Sequence, residues 1–304
     1  MANVLEIKTS HCPAQSQVSL AQYTSFRVGG AAEWFTTPRT AEALQVSLDW
    51  ANTEGLPITF LGAGSNLLIS DRGLPGLVVC TRHFRNIQFN DATGQLTAAA
   101  GDSLASLAWK AAKRGWQGLE WAVGIPGTVG GAVVMNAGAH GSCAGDILVS
   151  TQVLNPNGSF STLSPKDLDY RYRTSMLQGS DRLVTQATFQ LQPGANPKQV
   201  MAATAADLHQ RRTTQPYDLP SCGSVFRNPT PHSAGQLIEA AGLKGFQIGN
   251  AQVSKRHANF ILNRGGATAT DILQLIRHVQ ATVEERWSLP LNPEVKILGE
   301  FCIA

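Results

Sequence analysis

Between Gly118 and Gly141 the chain reads GLEWAVGIPGTVGGAVVMNAGAHG, in which seven of 24 residues are glycine, against 29 of 304 in the whole chain. Glycine loses more conformational freedom on folding than any other residue. A cluster this dense therefore implies backbone that must come very close to something, or bend where a Cβ would clash. Gly127, Gly130 and Gly131 flank Thr128, and the run then turns apolar through Ala132, Val133, Val134 and Met135. A loop of this kind can turn several backbone N–H groups toward one anion, typically a phosphate. A tight buried turn between core elements would use the same residues.

A second glycine loop lies upstream in LPITFLGAGSNLLISDRGLPGLVV, residues 56–79. Ile58 to Leu61 read as a short apolar strand, and Gly62, Ala63, Gly64, Ser65 and Asn66 as the turn. The dinucleotide fingerprint GxGxxG would need a third glycine where Leu67 stands, and a helix where Leu67–Ser70 and Leu77–Cys80 read as strands. A Rossmann unit is therefore disfavoured. The loop keeps the small residues, free N–H groups and Ser and Asn side chains that suit an anion, with a plain hairpin turn as the alternative.

At 304 residues the chain exceeds one average domain, so two domains or lobes are expected. With 43% hydrophobic and 15% charged residues it can bury a large core. The net charge is +3, and the densest basic runs (Lys110 to Arg114, Arg211-Arg212) are short, unlike the basic stripe of a nucleic-acid binder. Cys12, Cys80, Cys143, Cys222 and Cys302 are dispersed, odd in number and form no CxxC pair, which argues against a disulfide framework or a structural zinc. The seven histidines show no ligand spacing either, so no metal is expected. The N-terminus lacks the pattern of a signal peptide, and no stretch approaches the roughly 18 apolar residues of a spanning helix. These features predict a soluble cytoplasmic protein with no membrane insertion.

Along the chain, residues 1–20 read as a lightly structured lead-in, and 23–38 as a strand-like run broken by Gly29-Gly30. Residues 40–54 predict a helix capped by Thr40, with Ala41, Leu44, Leu48 and Ala51 on one face. Residues 87–100 predict a hairpin turning at Asp91 to Gly94, and Ser103 to Arg114 a helix. Strand-like segments fill 147–189 around the polar and aromatic insert DLDYRYRTS (167–175). A boundary is expected near Pro193 to Pro197, then a helix over 198–212. Beyond it come a helix over 233–241 stopped by Gly242, two short strands around SKRHAN, an amphipathic helix over 270–287 and a strand over 290–298.

Several of these segments together resemble one family. TSFRVGG (24–30), LGAGSNLLISD (61–71), GIPGTVGGAVVMNAGA (124–139), YRTS (172–175), CGSVFRNP (222–229), AGQLIEAAGLKG (234–245), SKRHANFI (254–261) and NPEVKILG (292–299) run in the order of the UDP-N-acetylenolpyruvoylglucosamine reductases. The resemblance implies an α+β chain with a two-lobed FAD-binding domain of the vanillyl-alcohol-oxidase type over 1–200, its lobes spanning about 20–85 and 86–200. A C-terminal α+β substrate-binding domain would occupy 201–304. It implies FAD bound without a covalent link, NADPH as co-substrate, and a monomer acting on small molecules. The reaction would reduce the vinyl ether of an enolpyruvyl UDP-sugar to a lactyl ether, for peptidoglycan synthesis.

Hydride delivery to the terminal carbon leaves carbanion or enolate character beside the substrate carboxylate, so negative charge must be stabilised there and a proton delivered. The resemblance gives the proton to Ser224, the carboxylate and enolate to Arg173, and a carboxylic acid at the same centre to Glu294. Without it, Ser224 would read as a turn residue and Glu294 as an exposed glutamate. Arg171 competes with Arg173, because on a strand the two would share a face; the YRTS match favours Arg173 and leaves Arg171 a solvated or structural charge. For FAD the matching segments offer Gly62, Ala63, Gly64, Ser65 and Asn66, then Gly124, Ile125, Pro126, Gly127, Thr128, Gly130 and Gly131, with Arg27 and Asn136 as further contacts. For substrate they offer Tyr172, Arg212, Gln215, Arg227, Asn228, His257 and Asn259. Another FAD-dependent oxidase or dehydrogenase of the same fold, or a non-catalytic nucleotide-sugar binder, are the competing readings.

Overall fold

The computed structural model describes residues 13–301 and the two-residue strand β1 (Val4–Leu5). The first lobe continues with β2 (Ala14–Ser19), β3 (Ala31–Thr36), α1 (Ala41–Thr53), β4 (Ile58–Leu61), β5 (Leu67–Ile69) and β6 (Leu74–Cys80). Five of these strands form a sheet in the order β1-β2-β3-β6-β4. The β1–β2 and β2–β3 pairs are antiparallel; β3–β6 and β6–β4 are parallel. Helix α1 starts where Thr40 Oγ1 accepts the Ala43 N–H at 3.2 Å, and it lays Leu44, Leu48 and Ala51 over Leu77 and Val79 of β6. The lead-in expected over 1–20 lies partly outside the described residues. From Ala14 onward it is instead a full strand whose polar AQSQVS composition, half exposed beside β3, hides the pattern of a core strand.

The second lobe contains β7 (Ile87–Asn90), β8 (Gln95–Ala99), α2 (Leu104–Lys113), α3 (Val129–Met135), β9 (Gly138–Ala139), β10 (Ser142–Cys143), α4 (Ala144–Ile147), β11 (Leu148–Leu154), β12 (Phe160–Leu163), β13 (Leu183–Gln190) and α5 (Pro197–Thr214). Its five-stranded sheet, β12-β11-β13-β8-β7, is antiparallel throughout. Ser103 caps α2, whose buried Leu104, Leu107, Ala108 and Ala111 join Trp116, Trp121, Val133 and Phe189 in one core. Helix α5, which straddles the boundary expected at 200/201, packs against α2 and the 3-10 turn Glu120–Ala122.

The C-terminal unit comprises α6 (Ala234–Ala240), β14 (Gln247–Ile248), β15 (Ala251–Val253), β16 (Ile261–Asn263), α7 (Ala269–Trp287) and β17 (Lys296–Leu298). The two strands expected around SKRHAN are three, forming an antiparallel sheet against α7. The strand expected over 290–298 shrinks to β17. Pro290 and Pro293 cannot donate to a ladder, and β17 pairs in parallel with β5 of the first lobe.

Three further links seat this unit. Phe26, Val28 and Leu68 of the first lobe lie inside its core. Asn263 Nδ2 donates to the Phe26 carbonyl at 2.9 Å. The Asp71 carboxylate accepts the Ala269 and Thr270 N–H groups (2.8 and 2.9 Å) and the Thr270 hydroxyl (2.7 Å), capping α7 from another lobe. Among the described residues no helix is long and apolar enough to cross a membrane.

Candidate active site

The two glycine loops meet. Ser65 Oγ donates to the Pro126 carbonyl at 2.8 Å, and a Cβ added at Gly62 would fall 2.6 Å from Thr128 Oγ1. Gly64 is obligatory for its own reason: φ is +63°, and a Cβ would stand 2.0 Å from the Tyr23 carbonyl oxygen. Arg82, which the sequence did not single out, holds the first loop by its carbonyls. Its Nε donates to Gly62 O at 3.2 Å, and one Nη donates to Ala63 O and Tyr23 O, each at 2.7 Å. With the carbonyls held there, the Ala63, Gly64 and Ser65 amides donate to no backbone carbonyl among the described residues.

The second loop is more self-contained. The amides of Ile125, Val129 and Gly130 bond to Ala122, Asp102 and Ala100 carbonyls at 2.9–3.1 Å, and Gly131 N–H bonds Thr128 Oγ1 at 3.4 Å. The Gly127 and Thr128 amides donate to no backbone carbonyl of the described residues. Gly64 and Thr128 are buried, where backbone amides are nearly always paired. With the partly buried Ala63, Ser65 and Gly127 they set a row of amides along two abutting loops that fits the diphosphate of a dinucleotide. The other expected flavin contacts lie differently. Asn136, buried at φ +45°, donates to Arg171 O (3.1 Å) and accepts from Gly145 N (2.9 Å), so both ends of its amide bind backbone. Arg27 is exposed at φ +56°.

Arg173 and Glu294 converge at the junction of the second lobe and the C-terminal unit. Arg173 Nε donates to Glu294 Oε1 at 3.1 Å with both side chains largely buried, and an Nη donates to Gly138 O at 2.6 Å. Burial pushes the Glu294 carboxyl above the ordinary carboxylate range, outweighing the guanidiniums of Arg173 and Arg227, which pull it down. Asn66 ties this centre to the first glycine loop: its Nδ2 donates to Glu294 O at 3.0 Å, and its carbonyl accepts the Lys296 N–H at 2.9 Å. Ser224 follows Gly223 (φ +83°) and is half-buried. The next residue, Val225, accepts the Glu294 N–H at 2.7 Å, which sets the two segments side by side.

The DLDYRYRTS insert is a tight turn, not a strand. Arg171 and Thr174 exchange backbone hydrogen bonds (3.1 and 3.0 Å), and Arg173 sits at φ +54°. The two arginines are thereby separated: Arg171 pairs with Asp169 in the open at 3.0 Å, while Arg173 takes Glu294. Tyr172 is 53% exposed, with Arg173 Cζ 5.0 Å from its ring centre, whereas the Tyr170 hydroxyl is anchored on Val133 O at 3.0 Å.

Of the expected substrate contacts, Asn259 is buried, and it brackets Phe226: its Oδ1 accepts Phe226 N–H (2.9 Å) and its Nδ2 donates to Phe226 O (2.8 Å). Asn228 Oδ1 accepts the first amide of α6 at 3.0 Å. His257 Nδ1 accepts the Asn259 N–H at 3.2 Å, and burial lowers its pKa, which places the ring proton on Nε2. The Gln215 carbonyl accepts from Arg256 at 3.3 Å. Arg212 is exposed on α5, and its neighbour Arg211 lies over the glycine loop: a Cβ at Gly124 would meet Arg211 Cδ at 2.2 Å. The Tyr217 hydroxyl donates to Gly124 O beside it at 3.1 Å.

Residues 32–164 match the family model for the FAD binding domain, and residues 215–298 that for the UDP-N-acetylenolpyruvoylglucosamine reductase C-terminal domain. The curated UDP-N-acetylenolpyruvoylglucosamine reductase of Trichormus variabilis is 63% identical over 300 residues, 99% of this chain and 91% of the relative. That of Acaryochloris marina is 59% identical over 295 residues, 97% and 96% of the two chains. The crystal structure of UDP-N-acetylenolpyruvylglucosamine reductase from Thermus caldophilus superposes with a TM-score of 0.80 at 35% identity, covering 98% of this chain and 100% of that one.

Proposed function

The chain belongs to the UDP-N-acetylenolpyruvoylglucosamine reductase family, and from that premise we propose that it reduces UDP-N-acetylglucosamine enolpyruvate to UDP-N-acetylmuramate with NADPH, a step of peptidoglycan precursor synthesis. When bound, FAD supplies the hydride chemistry between NADPH and the enolpyruvyl double bond.

The protein's part is position and charge. The Ala63–Ser65 amides, with those of Gly127 and Thr128, hold the cofactor diphosphate where the two glycine loops abut. Arg173 takes the substrate carboxylate and the negative charge that develops beside it; its planar fork suits both and never loses its charge. Glu294, kept protonated more readily by burial, carries a hydrogen-bond donor to the enolate oxygen. Ser224 Oγ delivers the proton to the carbon next to the carboxylate. The Arg173–Glu294 contact at 3.1 Å carries this reading, because it joins a fixed cation and a carboxyl of raised proton affinity beside the Ser224 segment. The exposed Tyr172 and the partly buried Arg211 form the edge of the substrate site. The substrate domain starts after Thr214, since α5 packs on the second lobe. The enzyme works as a monomer in the cytoplasm.

An anaerobic absorption titration tests it. Oxidised flavin bands should bleach with NADPH and recover on adding UDP-N-acetylglucosamine enolpyruvate. Recovery with oxygen alone would make the protein an oxidase of the same fold, and a chain that cannot be loaded with FAD would refute the assignment of both loops.

A further inference from the structure

Arg227 enters the same centre from the opposite side. Its backbone N–H donates to Asn292 O at 2.9 Å, next to the Phe226–Pro293 bridge, so it stands on the segment paired with Glu294. Its side chain then crosses to the second lobe, where Nη1 donates to Thr174 Oγ1 at 3.1 Å and Nη2 to the Arg173 carbonyl at 3.2 Å. Arg173 reaches the other way, to Glu294. Two arginines thus span one junction in opposite directions, the second gripping the backbone of the first.

The grip has a physical purpose. A left-handed conformation is strained for a non-glycine residue and persists only where its surroundings enforce it. Arg173 is such a residue, at φ +54°. Its carbonyl is held twice, by Arg227 and by Gln178 Nε2 at 2.8 Å. Arg227 Nε, buried, has no partner among the described residues. The guanidinium is therefore placed by its two Nη contacts, with one donor left unsatisfied at a cost in free energy.

The geometry points to Arg227 as a positioning residue that acts through Arg173, locking the left-handed turn so that the Arg173 guanidinium already faces Glu294 before substrate arrives. This rests on the roles given to Arg173 and Glu294 above. A substrate oxygen on Arg227 Nε would make it a binding residue instead, and the two roles separate experimentally.

With FAD-loaded, NADPH-reduced protein, reoxidation by UDP-N-acetylglucosamine enolpyruvate is followed over substrate concentration in Arg227→Gln, Thr174→Val, Arg173→Gln and the Arg173→Gln/Arg227→Gln pair. The saturating rate in Arg227→Gln should fall about 10- to 100-fold, with half-saturation moving less than about threefold. Arg227→Gln should add little once Arg173 is replaced. Additive losses, or weaker binding at an unchanged saturating rate, would overturn the assignment. A second readout needs no substrate. The Arg173 Nε–H resonance in 15N spectra, identified by its loss in Arg173→Gln, should be sharp in the parent and broadened or absent in Arg227→Gln and weakened in Thr174→Val. An unchanged resonance overturns the positioning role; failure of the parent to be reoxidised would instead remove the functional reading.

Discussion

Arg173 and Glu294 lie 121 residues apart and meet at 3.1 Å, one from a turn of the second lobe and one from the strand-edge segment of the C-terminal unit. In water such a pair would simply be two charges. Here burial works against the carboxylate, so the proton affinity of Glu294 rises although two arginines oppose it. A buried acid held against a fixed cation is able to give a hydrogen bond to a developing enolate while the cation takes its charge.

The pH dependence follows in sign. In the proposed role Glu294 works in its protonated form, and its raised pKa extends that form to higher pH than an ordinary glutamate would allow. Reoxidation of the reduced enzyme by substrate should therefore be fastest below that pKa and decline as pH rises through it. Burial raises that value and the Arg173 and Arg227 guanidiniums oppose it, so these three set where the decline falls. Glu294→Gln should abolish this limb and slow the step by about 10²–10⁴-fold. Rapid-mixing reoxidation measured across pH checks it; persistence of the same limb in the variant would show that another group titrates.

Ser224→Ala separates the two half-reactions. NADPH should bleach the flavin at nearly the parent rate, because no proton is delivered to carbon in that step. Recovery with the enolpyruvyl sugar should slow by about 10²-fold or more. Equal losses in both steps would mean that Ser224 is not the proton donor.

The parts legible in the sequence are those whose signal is local. Thr40, Ser103 and Ser233 mark helix starts that the structure reproduces, each side chain accepting the amide three residues on. The hairpin turn at Asp91 to Gly94 is likewise as expected. Partnership across the chain is not local. Nothing within NPEVKILG says that β17 pairs with β5, and nothing around Arg82 says that its guanidinium collects carbonyls from the first glycine loop. The motif match marks Asn136 and Asn259 as site residues, and in each both ends of the amide bind backbone. A motif records that a residue matters at a site without distinguishing touching the ligand from shaping what touches it.

Two glycine-to-alanine changes at nearly equal φ isolate the first loop's packing. Gly55 (φ +66°) has open space where a Cβ would stand, so Gly55→Ala should cost only the left-handed penalty, roughly 1–2 kcal/mol. Gly64 (φ +63°) would place that carbon 2.0 Å from Tyr23 O, which forces the loop backbone to move. Gly64→Ala should purify without flavin colour, whereas Gly55→Ala should keep it. Flavin-to-protein absorbance ratios decide the matter, with circular dichroism to confirm that each variant is folded.

Asp71 acts at a distance from the chemistry. It supplies three acceptor contacts to the start of α7, which also has its own capping box from Thr268 and Asp271. Because that box survives, Asp71→Ala should weaken the seating of α7 on the first lobe without unravelling the helix, at about 1–2 kcal/mol. Asp71→Asn, which keeps one acceptor oxygen, should lose less. Urea unfolding curves give the comparison, and equal loss in both variants would mean that charge, not hydrogen bonding, holds the junction.

His257 makes the C-terminal unit sensitive to acid. Its pKa is lowered from 6.5 chiefly by burial, so the fold favours the neutral ring. The stability this contributes is fully present above pH 6.5 and is lost as pH falls through the depressed folded-state value. Protonation turns Nδ1 from acceptor to donor and leaves the Asn259 N–H facing it unpaired. Asn259 in turn aligns Val225 and Phe226, the residues directly after Ser224. Acidification should therefore lower the melting temperature, and His257→Asn, whose side-chain oxygen can replace the Nδ1 acceptor, should remove this one-proton component from the acid slope. An identical slope in parent and variant would place the acid sensitivity elsewhere, and would free Asn259 from any dependence on the histidine ring.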